Sequence, residues 1–315
     1  MKLLLPFLFV LAVKAPAQQT VYPYPSKSIT FTIEQQQVTM SYMDVPSNSP
    51  DAKTVLLLHG KNFNGYYWKD VIAQLHNNGY RVVVPDQLGF GKSDKPNIHY
   101  SFSIMAASTA KILDTLGIKR VTVIGHSMGG MLATRFVLMY PDRTDKLIYE
   151  NPIGLEDYRL FVPYRSIDQQ FSQEQTSTFA SLKKYQASYY PEWKPEYDQY
   201  VAAQFDMMQV PDFKTAAWAS ALTYDMIYQQ PVVYEFNQIK TPTMIIIGQA
   251  DRTIVGKSLL TKEVAEKHGQ YPQLGETLQR QIAGSTLVKL PGVGHIPHIQ
   301  AFNEFMKNVL AFLKQ

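Results

Sequence analysis

Residues 121–130 read Val-Thr-Val-Ile-Gly-His-Ser-Met-Gly-Gly, a β-branched run that stops at Gly125 and sets Ser127 between glycines. A helix-forming stretch from Met128 to Tyr140 follows. A serine standing on a sharp strand-to-helix turn needs small neighbours, and Gly125 and Gly129 supply them in the pattern G-x-S-x-G. Such a turn exposes the hydroxyl at the end of a sheet. It also puts the backbone N–H of Met128 at a helix start, where free donors and the helix dipole favour the negative oxygen of an acyl-transfer intermediate. Serine is a weak nucleophile at neutral pH, so this chemistry demands a base within hydrogen-bond reach and a carboxylate to orient the base. Two late segments offer these groups: Gly248-Gln249-Ala250-Asp251-Arg252-Thr253 and Pro291-Gly292-Val293-Gly294-His295. Each follows an apolar run of strand type, where active-site loops of parallel sheets lie.

The elements that must position these residues follow from short apolar runs alternating with helical periodicity, the pattern of a mostly parallel sheet with helices on both faces. Strands are expected at Ile29–Ile33, Val38–Met43, Val55–Leu58, Arg81–Val84, Val121–Ile124, Lys146–Tyr149, Thr243–Ile247 and Thr286–Leu290, the first two forming a hairpin. Helices are expected at Tyr67–Asn77, Ile104–Leu116, Met128–Tyr140, Lys257–Lys267 and Asn303–Leu313. Between Asn151 and Ile239 the rhythm changes to a stretch holding ten of the twenty tyrosines together with Trp193 and Trp218. It reads as an inserted helical segment, broken by Pro191, Pro195, Pro211 and Pro231 into short helices that can move as a lid.

The 315 residues allow a sizeable core. Residues 1–17 have a positive start, an apolar run from Leu3 to Val13 and a small-residue site ending at Ala17, the pattern of a secretory signal peptide cleaved after Ala17. Export to the periplasm or medium is expected, with no stable membrane anchor once the signal is removed, because the apolar run is shorter than the roughly 20 residues a bilayer requires. Removing Lys2 and Lys14 with the leader leaves 28 basic against 26 acidic residues, a balance that points to no nucleic-acid partner. There is no cysteine, which excludes disulfides, a thiol nucleophile and a lipid-modified cysteine. His295 and His298 have no third ligand at recognisable spacing, so no metal is expected.

The order Ser127, Asp251, His295, with His59-Gly60 after the third strand and Pro85-Asp86-Gln87-Leu88-Gly89-Phe90-Gly91-Lys92-Ser93 after the fourth, resembles the α/β-hydrolase family over almost all of the mature length. It is most similar to the capped group that includes esterases, prolyl aminopeptidases and carbon–carbon bond hydrolases. The resemblance implies an eight-stranded α/β core over 18–151 and 240–315 with a helical cap over 152–239. It makes Ser127 the nucleophile, His295 the base and Asp251 the acid, with Glu150 at the end of the sixth strand as a rival acid. Asp251 also reads as a helix cap before Lys257–Lys267. The backbone N–H of Lys61, with Asn62 in reserve, would join that of Met128 in the oxyanion hole. His126 and His59 read as scaffold, Asp86 as a tie for its own loop, and His298 as packed on the final helix.

The implied activity is cofactor-free hydrolysis of a small ester, thioester or amide through an acyl-enzyme. The serine at position 127 excludes the aspartate-nucleophile chemistry of epoxide hydrolases and haloalkane dehalogenases. Carbon–carbon bond hydrolysis remains an alternative, although none of Arg135, Arg159 and Arg165 can be assigned to a substrate carboxylate. Aminopeptidase activity is another, with Glu150, Glu156 or Asp157 to hold a free amine; a secreted, non-catalytic binding module is the third. Trp193 and Trp218 are candidates for the pocket wall. The expected division of labour has the sheet loops holding the catalytic groups while the cap meets the substrate.

Overall fold

The computed structural model describes residues 20–49, 51–208 and 213–315; the expected leader at residues 1–17 lies outside them. Eight strands form one sheet: β1 Ser26–Ile33, β2 Gln36–Val45, β3 Thr54–Leu58, β4 Arg81–Pro85, β5 Val121–His126, β6 Thr144–Glu150, β7 Thr243–Gly248 and β8 Thr286–Leu290. Their order is β1-β2-β4-β3-β5-β6-β7-β8. β1 and β2 are an antiparallel hairpin and β2 pairs antiparallel with β4; every other neighbouring pair is parallel. The eight-stranded, mostly parallel sheet expected from the apolar runs is the one observed.

Eleven helices are described: α1 Lys69–Asn77, α2 Phe102–Thr115, α3 Met128–Met139, α4 Ile167–Gln175, α5 Phe179–Ala187, α6 Asp198–Asp206, α7 Phe213–Gln229, α8 Lys262–Lys267, α9 Tyr271–Gln281, α10 Pro297–Gln300 and α11 Phe302–Lys314. Side chains alternate across a strand, so each central strand feeds two cores. Leu56, Leu58, Val123, Ile245 and Ile247 pack with Phe102 and Ile112 of α2, Phe136 of α3 and Leu278 of α9. Val55, Leu57, Ile124, Met244 and Ile246 pack with Val71 and Leu75 of α1 and with Phe305 and Val309 of α11. Burial on both faces is why these strands read as continuous apolar runs.

Helices α4 to α7 all fall between β6 and β7, an insertion with no strand among its described residues. Two expectations fail nearby. Lys257–Lys267 is not one helix: a 3-10 turn at Lys257–Leu259 ends in extended backbone at Leu260, and Thr261 caps α8 by accepting the Val264 N–H. The capping threonine restarts the helix after the break. Helix α9 was not expected because it carries Pro272 and Gly275. The proline sits in the first turn, where no N–H is needed, and a Cβ on Gly275 would lie 2.7 Å from Ile247 Cγ1 in the sheet.

Candidate active site

Parallel pairing aligns the carboxyl ends of β5 to β8, with His126 opposite Glu150, Glu150 opposite Ile246, and Gly248 opposite Leu290. The loops carrying Ser127, Asp251 and His295 therefore leave the sheet on one edge. Ser127 is the N-cap of α3 with φ 54° and ψ −121°, a left-handed conformation costly for any residue but glycine. The neighbouring glycines are required sterically. A Cβ at Gly125 would stand 2.3 Å from the Gly129 carbonyl oxygen, and one at Gly129 would stand 2.1 Å from that of Leu58. The turn is held by the Ser127 N–H donating to the Glu150 carbonyl at 3.2 Å and the Gly130 N–H donating to the Ser127 carbonyl at 2.8 Å.

Asp251 and His295 meet in the buried interior, with His295 Nδ1 2.7 Å from Asp251 Oδ2. Asp251 also accepts the Asn151 Nδ2–H at 2.7 Å and the Thr253 N–H at 2.8 Å. Burial opposes its charge, but the imidazole and these two donors together keep its carboxyl below the usual carboxylate range. With an ionised acceptor on Nδ1, the neutral imidazole carries its proton there and keeps a lone pair at Nε2. That Nε2 is buried and makes no hydrogen bond, to Ser127 or to any other described residue. The rival acid lies elsewhere: Glu150 binds His298, whose Nδ1 is 2.9 and 3.0 Å from the two carboxylate oxygens and whose N–H donates to Oε1 at 2.7 Å. His298 packs on the first turn of the final helix as expected, its ring 6.0 Å from that of Phe305, and it holds Glu150 as well. Its ring also stacks on Trp68 at 4.2 Å, and the Glu150 carboxylate meets the ring at Nδ1.

His126 and His59 are scaffold. The Tyr67 hydroxyl accepts the Gly60 N–H at 2.9 Å, which leaves its own proton for His126 Nδ1 at 3.1 Å. His126 Nε2–H then donates to the His295 carbonyl at 2.9 Å. Burial, followed by the neighbouring His295 and His298, drives the His126 pKa well below its usual range. His59 accepts the Gln87 N–H on Nε2 at 3.0 Å, and burial lowers its pKa too. Asp86 ties its loop as expected, accepting from the Tyr22 hydroxyl and from the Gly65 and Lys92 N–H groups within 2.8 Å.

Gly60 crosses directly over the serine turn, since a Cβ there would lie 3.0 Å from Ser127 Cβ. The next residue, Lys61, turns its side chain into the insertion, where Nζ donates to Ser220 Oγ at 2.8 Å and lies 3.7 Å from Glu174 Oε1. Burial pulls its pKa below the usual lysine range, against the pull of Glu174. Lys61 and Asn62 wall a cavity of about 60 Å³ with Phe90, Leu182, Met207 and Phe213. Trp193 and Trp218 are not in this wall: Trp193 Nε1 bonds Asp198, and Trp218 Nε1 bonds Asn97. Composition marks aromatic residues without telling which face each will occupy.

The remaining charged candidates have partners of their own. Glu156 accepts from His268 and the Gly269 N–H, and Asp157 pairs with Arg159. Arg135 pairs with Glu235, and Arg165 donates to Gln170. The sequence reading missed two residues. Asn151, at φ 37° and fully buried, bonds Asp251 through Nδ2 and accepts the Gly248 N–H on Oδ1 at 2.9 Å. An asparagine just past a strand end, the residue type most tolerant of positive φ after glycine, was the available signal. Tyr189 of the insertion accepts the His295 N–H on its carbonyl at 2.7 Å, and nothing local in the sequence marks it.

Comparison with protein families matches residues 53–302 to the α/β-hydrolase fold. The chain belongs to the α/β-hydrolase fold family. A solved structure of a probable hydrolytic enzyme from Pseudomonas aeruginosa PAO1 superposes with a TM-score of 0.91 at 43% identity, covering 94% of this chain and 96% of that one. A hydrolase from Paraburkholderia phymatum, named for 2-hydroxy-6-oxononadienedioate and its triene analogue, is 30% identical over 208 residues, 64% of this chain and 72% of its own. An uncharacterised protein of Mycobacterium bovis is 42% identical over 101 residues, and the match spans only 29% of that protein's length. The fold and the names of these relatives support a hydrolase.

Proposed function

We propose that this α/β hydrolase cleaves a small ester, thioester or amide through a covalent acyl-enzyme, with no cofactor. The reading is carried by the buried Asp251–His295 pair, which leaves Nε2 unpartnered in the site of a strained, N-capping Ser127. Nε2 takes the Ser127 proton as Oγ attacks the substrate carbonyl. The oxyanion that forms is met by the backbone N–H groups of Lys61 and Met128, the latter opening α3 where helical N–H groups lack intrahelical partners. The imidazolium, stabilised by Asp251, gives the proton to the departing alkoxide, thiolate or amine. Water then attacks the acyl-enzyme, losing its proton to Nε2, and the same proton returns to Ser127 Oγ as the acid departs. The insertion acts as the cap over residues 152–239. Residues 1–17 are proposed to direct export, which a mature chain starting at Gln18 would support.

The test is chemical. A fluorophosphonate probe is expected to label the wild type and not Ser127→Ala, whose turnover should fall on the order of a millionfold. Activity of Ser127→Ala within tenfold of wild type refutes the assignment. A second reading, hydrolysis of a carbon–carbon bond beside a ketone, is favoured by the partly buried Lys61 ammonium in the cavity wall, a cation that could hold a substrate carboxylate. The Paraburkholderia relative is named for substrates of that kind. Assaying aryl esters beside a vinylogous diketone carboxylate separates the two, since turnover of the diketone alone would favour the second.

A further inference from the structure

Tyr189 follows α5 in the insertion, yet it touches both loops that the proposed reaction depends on. Its carbonyl accepts the His295 N–H at 2.7 Å, the shortest of the backbone bonds around the base. A Cβ at Gly294 would lie 2.1 Å from that same carbonyl oxygen, so the base loop and residue 189 meet backbone to backbone. The Tyr189 ring lies 4.8 Å from the His295 imidazole at a 32° tilt. On the other side its hydroxyl accepts the Asn62 Nδ2–H at 2.8 Å, and its ring meets that of Tyr185 edge-on at 5.4 Å. The loop it grips there is the one whose Lys61 side chain is anchored to Ser220 of α7 and lies beside Glu174 of α4. Tyr189 is 6% exposed, and Pro191 two residues on stiffens the segment and stands 3.0 Å from the Cβ position of Gly294.

We propose that Tyr189 is a positioning residue that couples the insertion to both catalytic loops, so that the cap assembles the site as well as roofing it. The inference rests on the serine-hydrolase reading and reverses the expected division of labour between sheet loops and cap. A misplacement of about 1 Å at a reacting group can cost on the order of a hundredfold in rate, so loosening either loop registers in kcat. A residue that merely lined the pocket would act differently: its loss would change KM, and change it more for longer acyl chains.

The experiment compares wild type with Tyr189→Phe, Asn62→Ala, the double variant and Tyr185→Phe. Fluorophosphonate labelling rates and steady-state kinetics on p-nitrophenyl acetate, butyrate and hexanoate are measured for each. Tyr189→Phe keeps ring and carbonyl and deletes only the hydroxyl, so it is expected to fold. It should lower kcat and the labelling rate about tenfold, by one factor for all three esters, with KM steady. The double variant should lose no more than the worse single variant, and Tyr185→Phe should stay near wild type. Wild-type kcat in Tyr189→Phe, or a KM effect growing with chain length, overturns the proposal. Amide hydrogen exchange of Tyr189→Ala gives a readout independent of turnover, with faster exchange expected in residues 60–63 and 292–296 together. Unchanged exchange there also overturns it. If wild-type Ser127 resists labelling, the hydrolase reading falls and the exchange result alone decides the coupling.

Discussion

Replacing Asn151 by alanine tests whether Asp251 is held by its surroundings or only by His295. The Asn151 side chain satisfies the Gly248 N–H at 2.9 Å and donates to Asp251 Oδ2 at 2.7 Å, in a site with no solvent exposure. Alanine strands the buried Gly248 donor, costing roughly 1–3 kcal/mol, and deletes a hydrogen bond to a charged group, costing roughly 1.5–3 kcal/mol. The sum is about 2.5–6 kcal/mol, within the roughly 5–15 kcal/mol by which native proteins are stable, so the variant should still fold. Urea denaturation should show a lower midpoint at an unchanged slope. Turnover should fall about tenfold or more, because Asp251 loses one of the donors that keep it ionised and aimed at His295. A double-mutant cycle with Asp251→Ala should give a coupling of at least about 1 kcal/mol. A stability loss below about 1 kcal/mol, or strictly additive effects in the cycle, refutes the reasoning.

The two carboxylates should separate by function: Asp251→Asn should lose on the order of 10⁴-fold in kcat through the wrong imidazole tautomer, whereas Glu150→Gln, facing His298, should stay within about tenfold. Equal losses in both would undo the assignment of the acid. Stability should fall on acidification, because His59 and His126 stay neutral when folded but take up protons below about pH 6.5 when unfolded. Their contribution is complete above that pH and is lost toward their depressed folded-state values, at up to about 1.4 kcal/mol per pH unit for each histidine. Denaturation midpoints from pH 7.5 to 5 check this, and His126→Asn should flatten the slope by about one proton. Gly129→Ala should cost about 3 kcal/mol or more, since its Cβ would meet the Leu58 carbonyl oxygen at 2.1 Å; a midpoint within 1 kcal/mol of wild type would contradict that geometry.

The serine turn was legible in the sequence because everything it needs is local: a strand, two glycines and a helix start within ten residues. The central strands were legible for a related reason, since burial on both faces writes an uninterrupted apolar run. Asp251 and His295 followed as candidates because each stands just past such a run. Strand-end order favoured Asp251 over Glu150 there but showed no contact for either. Both end buried strands, and only the tertiary structure assigns His295 to one and His298 to the other. Helix α9 was hidden by a proline and a glycine whose reasons are a first-turn position and a close approach to Ile247.

The insertion was visible by its aromatic content, but the roles of its residues were not. Trp193 and Trp218 were conspicuous by type and bond to Asp198 and Asn97, away from the cavity. Tyr189, one tyrosine among ten in that stretch, carries the contacts with His295 and Asn62. Short-range chemistry leaves its pattern in neighbouring residues, so the sequence by itself determined the sheet, the serine turn and the order of the catalytic candidates. Partners brought together by packing across the whole chain leave no local pattern. The pairing of Asp251 with His295, the bond from Asn62 to Tyr189 and the grip of the insertion on His295 were therefore decided only by the tertiary structure.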